Sequence, residues 1–114
     1  MTFHHFVLRK KLFDGTKDRC WRAGLVSEEM RIVGWNVNGL RACIKKGFIS
    51  FLERSEADIV ALQEVRAFPE HLPPEITASK DWHVSVSPAK RPGYSGVAIL
   101  SRVAPSKIET SLGE

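Results

Sequence analysis

The chain has only two cysteines, Cys20 and Cys43, and one tyrosine, Tyr94, in 114 residues. Two cysteines make no disulfide framework, and neither lies in a nucleophile or metal-ligand spacing, so both read as inert. No apolar run is long enough to span a bilayer, and no long apolar core marks a secretory leader. A reducing, cytoplasmic setting without a membrane partner is the expectation. Internal repeats and low-complexity segments are absent, and the length allows one domain at most. A strong charge of one sign is missing too. The 17 Lys and Arg against 13 Asp and Glu leave +4, a weak pull towards polyanions. What is present, 43% hydrophobic and 26% charged residues, is the composition of an ordinary globular domain.

One stretch organises the rest: Asp58-Ile59-Val60-Ala61-Leu62-Gln63-Glu64-Val65-Arg66. A short apolar run with Ile and Val reads as a strand buried on both faces. Gln63 and Glu64 stand where that strand ends, the edge at which sites gather in open α/β sheets. The same pattern occurs earlier in Arg31-Ile32-Val33-Gly34-Trp35-Asn36-Val37-Asn38-Gly39-Leu40-Arg41. Between the two runs lies enough chain for the helical crossover that parallel strands require. Parallel pairing would bring Asn36, Asn38 and Glu64 out at one edge.

Residues 1–29 read as an N-terminal extension outside the core, with a short strand or helix over Phe3–Phe13 and a turn at Asp14-Gly15. His4 and His5 are adjacent and on a strand would face opposite ways, so they make a poor metal site. The domain is expected to begin at Met30. Strand one spans about 31–37, followed by a basic connection from Arg41 to Lys46. A helix spans roughly 45–56, with Ile44, Phe48, Ile49 and Leu52 on one face. Strand two covers 58–63, and the proline-punctuated stretch 67–79 is loop with at most a helical turn. Residues 82–87 alternate as a strand with one buried face. A loop over Pro88–Ser95 leads to a buried strand at 96–101, antiparallel to its predecessor, and residues 105–111 begin another edge strand.

Glu64 is the sharpest chemical candidate. A lone strand-end glutamate is more often merely solvated. Asn36 and Asn38 beside it change that balance, because amide oxygens supplement carboxylates around Mg²⁺ and amide NH₂ groups bond phosphate oxygens. Mg²⁺ also keeps waters and takes substrate phosphates, so it needs few protein carboxylates. Arg41, Arg66, Lys90 and Arg91 fall in loops expected at the same rim, where guanidinium groups suit phosphate geometry. Tyr94, between Gly93 and Ser95, is placed to stack on a sugar or base or to bond a phosphate.

Trp35-Asn36-Val37-Asn38-Gly39-Leu40-Arg41-Ala42, Leu62-Gln63-Glu64-Val65-Arg66 and Gly93-Tyr94-Ser95-Gly96-Val97-Ala98-Ile99-Leu100-Ser101-Arg102 resemble, in order and spacing, three blocks of the exonuclease III family of AP endonucleases. The resemblance covers about residues 30–114. It implies an α/β fold, the N-terminal half of the four-layer α/β sandwich of endonucleases, exonucleases and phosphatases. It also implies Mg²⁺-dependent cleavage, with Mn²⁺ as a substitute, of double-stranded DNA at abasic sites and 3′ ends. By that resemblance Glu64 binds the metal, Asn36 lies beside metal and scissile phosphate, and Asn38 stands where some members carry Asp. Arg66 replaces a frequent Lys, Tyr94 lies at the DNA backbone, and Pro92 is a small departure before Gly93.

The later family blocks, with an active-site Tyr, an Asp-x-Asn pair and an Asp-His pair, have no counterpart here. Asp58 and Asp81 begin strands, and His71 and His83 are in the wrong context. The resemblance therefore implies a chain that is inactive or nearly so alone. The apolar strands also imply a second sheet that these residues do not supply. Several hundred Å² of apolar face left in water forfeits on the order of 10 kcal/mol at about 25 cal/mol per Å², comparable with a typical domain's whole stability of about 5–15 kcal/mol. A missing C-terminal half is thus an expected partner. Two other readings compete: a non-catalytic nucleic-acid-binding remnant, and a phosphoesterase of the same superfold acting on inositol phosphates or sphingolipids. The Gly-Leu-Arg-Ala and Gly-Tyr-Ser-Gly blocks weigh against the last.

Overall fold

Val33, Val60, Leu62, Ala98 and Leu100 are all buried, and strand register explains why they are buried together. The computed structural model describes the backbone of residues 3–12 and 26–110 and the side chains of residues 30–110. Five strands form one mixed sheet: β1 (Phe3–Leu12), β2 (Val26–Asn36), β3 (Ile59–Gln63), β4 (His83–Ser87) and β5 (Val97–Ser101), in the order β1-β2-β3-β5-β4. The β2–β3 pair is parallel, the arrangement in which Asn36, Asn38 and Glu64 come out at one edge, and the other neighbours are antiparallel.

Residues paired directly across strands share a face. The pairs Val33↔Val60, Trp35↔Leu62, Val60↔Leu100, Leu62↔Ala98, Val84↔Leu100 and Val86↔Ala98 therefore define one continuous apolar face. Two short helices cover it, α1 (Leu40–Lys45) and α2 (Phe48–Arg54). They bury Leu40, Cys43, Phe48 and Leu52 at helical spacing. Trp35 meets Phe51 edge-on at 4.9 Å between ring centroids and Phe48 at 5.7 Å, which fixes α2 against β2. Ile76, from α3 (Pro74–Thr77), and Trp82 complete the buried cluster.

The sequence-based elements need four adjustments. The single helix expected over 45–56 is two, broken where Gly47 takes φ +107°, a value that Gly adopts without Cβ strain. The basic connection from Arg41 is itself mostly helix, α1. In β4, Val84 and Val86 are only partly buried, because the strand is the sheet's edge and has a neighbour on one side only. Residues 105–110 form no strand: Pro105 has no N–H to offer a ladder, and Lys107 and Glu109 pair with each other. The backbone of Phe3–Leu12, from the presumed extension, pairs along β2 at the other edge. Asp14-Gly15, Cys20 and the side chains of His4 and His5 lie outside the described residues. No helix among the described residues is long and apolar enough to cross a membrane.

The opposite face carries Ile32, Ile59, Ala61, Val97 and Ile99. The first three are half-buried, while Val97 and Ile99 are 48% and 51% exposed. Ile108 lines a small cavity against Val97 and Ile99 but leaves the face largely open. Successive residues of β5 thus meet opposite environments, and their substitutions should separate. Leu100→Ala, from a site with no exposure, should cost about 2–5 kcal/mol. Ile99→Thr should change stability by no more than about 0.5 kcal/mol. The urea midpoint of each variant measures both.

Candidate active site

Because β2 and β3 run parallel, both carboxyl ends reach one edge of the sheet. Beyond that edge the main chains remain joined. Val37 N–H donates to the Gln63 carbonyl (3.0 Å), Gly39 N–H to that of Glu64 (2.8 Å) and Leu40 N–H to that of Val65 (2.9 Å). On the other side, Val65 N–H donates to the Gly96 carbonyl (3.0 Å) and Arg66 N–H to that of Ser95 (2.8 Å). The segment 63–66 is thereby stitched between the loop after β2 and the loop before β5. Buried Val37, Leu40 and Val65 anchor it from below.

This stitching holds the backbone in an uncommon conformation. Asn38 (φ +48°), Glu64 (φ +52°), Arg66 (φ +54°) and Ser95 (φ +35°) all lie in the left-handed region. Such residues cost of order 1 kcal/mol each and persist where surrounding contacts over-determine them. Here the contacts are the five loop hydrogen bonds. Gly96 at φ +83° completes the turn, with the Pro88–Ala89 backbone 3.5 Å from where a Cβ would stand.

The side chains follow from that frame. Glu64 is half-buried, and its Oε2 accepts from Arg66 Nη2 at 3.3 Å. Asn36 Oδ1 accepts the Asn38 N–H at 3.1 Å, and the carboxamide NH₂ makes no hydrogen bond among the described residues. Asn38 itself is exposed. Beside Glu64 opens a cleft of about 750 Å³ lined by Gly39, Arg41, Lys45, Arg66, Glu70, His71 and Gly93, among others. Its charge is predominantly positive, from Arg41, Lys45 and Arg66, against the single acid Glu70.

Of the residues expected at one rim, Arg41 and Arg66 share the cleft, while Asn36, Asn38, Glu64, Lys90, Arg91 and Tyr94 do not line it, Glu64 being joined to it through Arg66. Lys90 is exposed in the loop before β5, and the Arg91 guanidinium lies over the Tyr94 ring, 4.2 Å from its centroid. That stacking follows from chain locality, since the two residues are close neighbours in one loop and both are exposed. Sequence reasoning missed Lys45 and Glu70 and set His71 aside. Lys45 stands one helical turn after Arg41, a signal legible only once that segment is known to be helix. His71 is brought in by the 3₁₀ turn Pro69–His71, where it meets Phe68 edge-on at 5.7 Å.

The other edge of the sheet holds different chemistry. Asp58, Asp81 and His83 flank the amino ends of β3 and β4, away from Glu64. Asp58 Oδ2 accepts the Arg31 N–H at 2.7 Å, a structural link. Cys43 is buried in α1, and burial pushes its thiol up despite the opposing charge of Lys46. No group of three His, Cys, Asp or Glu converges as a metal cluster among the described residues.

Residues 33–112 match the model of the Endonuclease/Exonuclease/phosphatase family. The chain is 39% identical over 87 residues to an exodeoxyribonuclease of Bacillus subtilis, covering 74% of this chain and 32% of that protein. It is 33% identical over 87 residues to the DNA repair nuclease APEX1 of Danio rerio, covering 75% and 28%. Among solved structures it is similar to an AP endonuclease from Archaeoglobus fulgidus, with a TM-score of 0.64 and 27% identity, covering 75% of this chain and 32% of that one. A 3′ phosphatase from Neisseria bound to product DNA hairpin gives a TM-score of 0.58 at 32% identity, covering 68% and 29%. The chain thus spans about a third or less of these relatives' lengths. The family match runs across most of the sequence, residues 33–112: the chain belongs to the Endonuclease/Exonuclease/phosphatase family.

Proposed function

We propose that these residues form the metal-and-phosphate portion of a DNA-repair nuclease of the exodeoxyribonuclease III and AP endonuclease type, acting on DNA phosphodiesters at abasic sites and 3′ ends. The observation that carries this reading is the position of Glu64 on loops locked by main-chain hydrogen bonds, one residue from Val65 and bonded to Arg66, both of which line a basic cleft. The names of its relatives, an exodeoxyribonuclease and a DNA repair nuclease among them, point the same way.

The donor set fits a hard cation. The Glu64 carboxylate and the Asn36 carboxamide oxygen are oxygen ligands, and Mg²⁺ or Mn²⁺ needs only one or two protein carboxylates when waters and a phosphate complete its shell. Glu64 and Asn36 are the residues that would hold it, and when bound it would neutralise charge developing on a phosphate. The chain's own groups do the positioning. Asn36 Oδ1 is held by the Asn38 N–H, and its NH₂ remains available to donate to a phosphate oxygen. Arg41 and Lys45, one turn apart on α1, present two cations to the backbone of a strand lying in the cleft. Tyr94, 55% exposed under the Arg91 guanidinium, offers a ring face and a hydroxyl in the loop before β5, next in sequence to Gly93 of the cleft.

Asp58, Asp81 and His83 stand at the far edge, and Glu70 and His71, which line the cleft, make no hydrogen bond to Glu64 among the described residues. No described group is therefore held as a base on a water at Glu64, a step typically worth 10²–10⁴-fold. The 114-residue chain is accordingly expected to incise abasic duplex DNA no faster than its own Glu64→Ala variant. Incision above that control would overturn this part of the reading. Binding should survive without cleavage. Arg41→Ala is expected to weaken duplex binding equally across sequences and to flatten the slope of log affinity against log salt by about 1. Fluorescence anisotropy between 50 and 200 mM salt, the range over which phosphate contacts are most visible, measures it.

A further inference from the structure

Glu64 is not a bare carboxylate: Arg66 already occupies it. The guanidinium donates from Nη2 to Oε2 at 3.3 Å, with the two side chains 44% and 41% exposed. Both residues are in the left-handed conformation and both backbones are pinned, Glu64 through its carbonyl to Gly39 and Arg66 through its N–H to Ser95. The frame therefore holds the two backbones where these side chains reach each other. Asn38, on the neighbouring loop, offers Arg66 no competing negative charge.

Arg66 also lines the basic cleft, together with Arg41 and Lys45. It thus stands between two roles that exclude each other. A guanidinium bonded to Oε2 blocks one of the two oxygens that a cation would take, and its positive charge repels that cation. Once the carboxylate is taken, the guanidinium is left among like charges in a cleft whose one acid is Glu70. Its preferred remaining partner is an anion, and a forked guanidinium suits a phosphate.

We propose that Arg66 is a metal-displaceable counter-ion of Glu64: a divalent cation taking the carboxylate releases the guanidinium to a phosphate in the adjoining cleft. The inference rests on the reading of Glu64 as a metal ligand and adds the coupling between metal and phosphate. Arg66 then acts as a positioning residue. Without metal it keeps the lone carboxylate neutralised, so an incoming phosphate does not face an unscreened negative charge. With metal it turns into one more phosphate contact.

The test is a binding experiment on the full chain with Mn²⁺ and Mg²⁺ as probes. Exposed ion pairs are weak, so Arg66→Gln should tighten Mn²⁺ binding, followed by electron paramagnetic resonance, by about two- to fivefold. Glu64→Gln should abolish it. Removing a charge could tighten metal binding without any switch, so a second readout is needed. In ¹⁵N NMR the Arg66 Nε–Hε signal of the unsubstituted chain should shift when Mg²⁺ saturates the site. Glu64→Gln should show the shifted position without metal and no further change. Equal Mn²⁺ affinity in the Arg66→Gln variant, or an Arg66 signal indifferent to Mg²⁺ while Mn²⁺ still binds through Glu64, would overturn the switch and leave the metal site standing. Absence of Mn²⁺ binding in every variant would overturn both.

Discussion

The structure depends on a parallel strand pair whose hydrogen bonding does not stop where the strands do. Past Asn36 and Gln63 the β2–β3 ladder continues through Val37, Gly39 and Leu40 to the carbonyls of 63, 64 and 65. The same segment is held on its other side by the carbonyls of Gly96 and Ser95. A loop in this family of contacts has almost no freedom to drift. Left-handed φ at Glu64 and Arg66 is the conformational consequence, and buried Val65 between them is the reason that both polar side chains emerge on the solvent side. Functional groups placed by rigid backbone keep their geometry far better than groups on free loops.

That rigidity sets the electrostatics. Glu64 is joined through Arg66 to a cleft whose charges are mostly positive, with Glu70 its single acid. In water an exposed pair such as Glu64–Arg66 contributes little to stability, since Coulomb attraction at high dielectric is nearly offset by hydration and side-chain entropy. Weakness is useful here. A strong buried pair could not be opened by a ligand without a large penalty, whereas this pair leaves the carboxylate accessible. Arg91 shows the contrasting choice: its guanidinium is satisfied by the Tyr94 ring, so its hydrogen-bonding edge stays free.

Much of this was legible in the amino-acid sequence, for identifiable reasons. The α/β class, the parallel β2–β3 pair and the antiparallel β5 follow from apolar runs, the crossover length and alternation, signals that sheet burial imposes directly. The edge carrying Asn36, Asn38 and Glu64 follows from the same parallelism. What was not legible depends on contacts distant in sequence. Lys45 and His71 join the cleft only because α1 and the Pro69–His71 turn flank it, and no local pattern announces that. The break at Gly47 was hidden because Ile44, Phe48, Ile49 and Leu52 keep helical spacing across it. The pairing of Arg91 with Tyr94, and of Arg66 with Glu64, is a matter of side-chain partner choice among several charges near one rim. Sequence can name the candidates for such pairs but cannot rank them.

The sheet's second face bears on the site as well. Ile32, Ile59, Ala61, Val97 and Ile99 sit on the reverse of the strands whose ends carry the stitched loops. Val97 and Ile99 leave about half of their surface in water, and burying apolar area is worth about 25 cal/mol per Å². A few hundred Å² of cover would therefore add stability on the scale of a whole domain's margin. Local opening is governed by the same margin, because a loop pinned to strands can unpin only as easily as the strands can part. Gln63↔Val97 is the last rung of the β3–β5 ladder before the loops, with Val97 among the more exposed residues of that face. An apolar surface laid over Val97 would thus act one rung from Glu64, so that covering the reverse face and holding the carboxylate in place are a single mechanical problem.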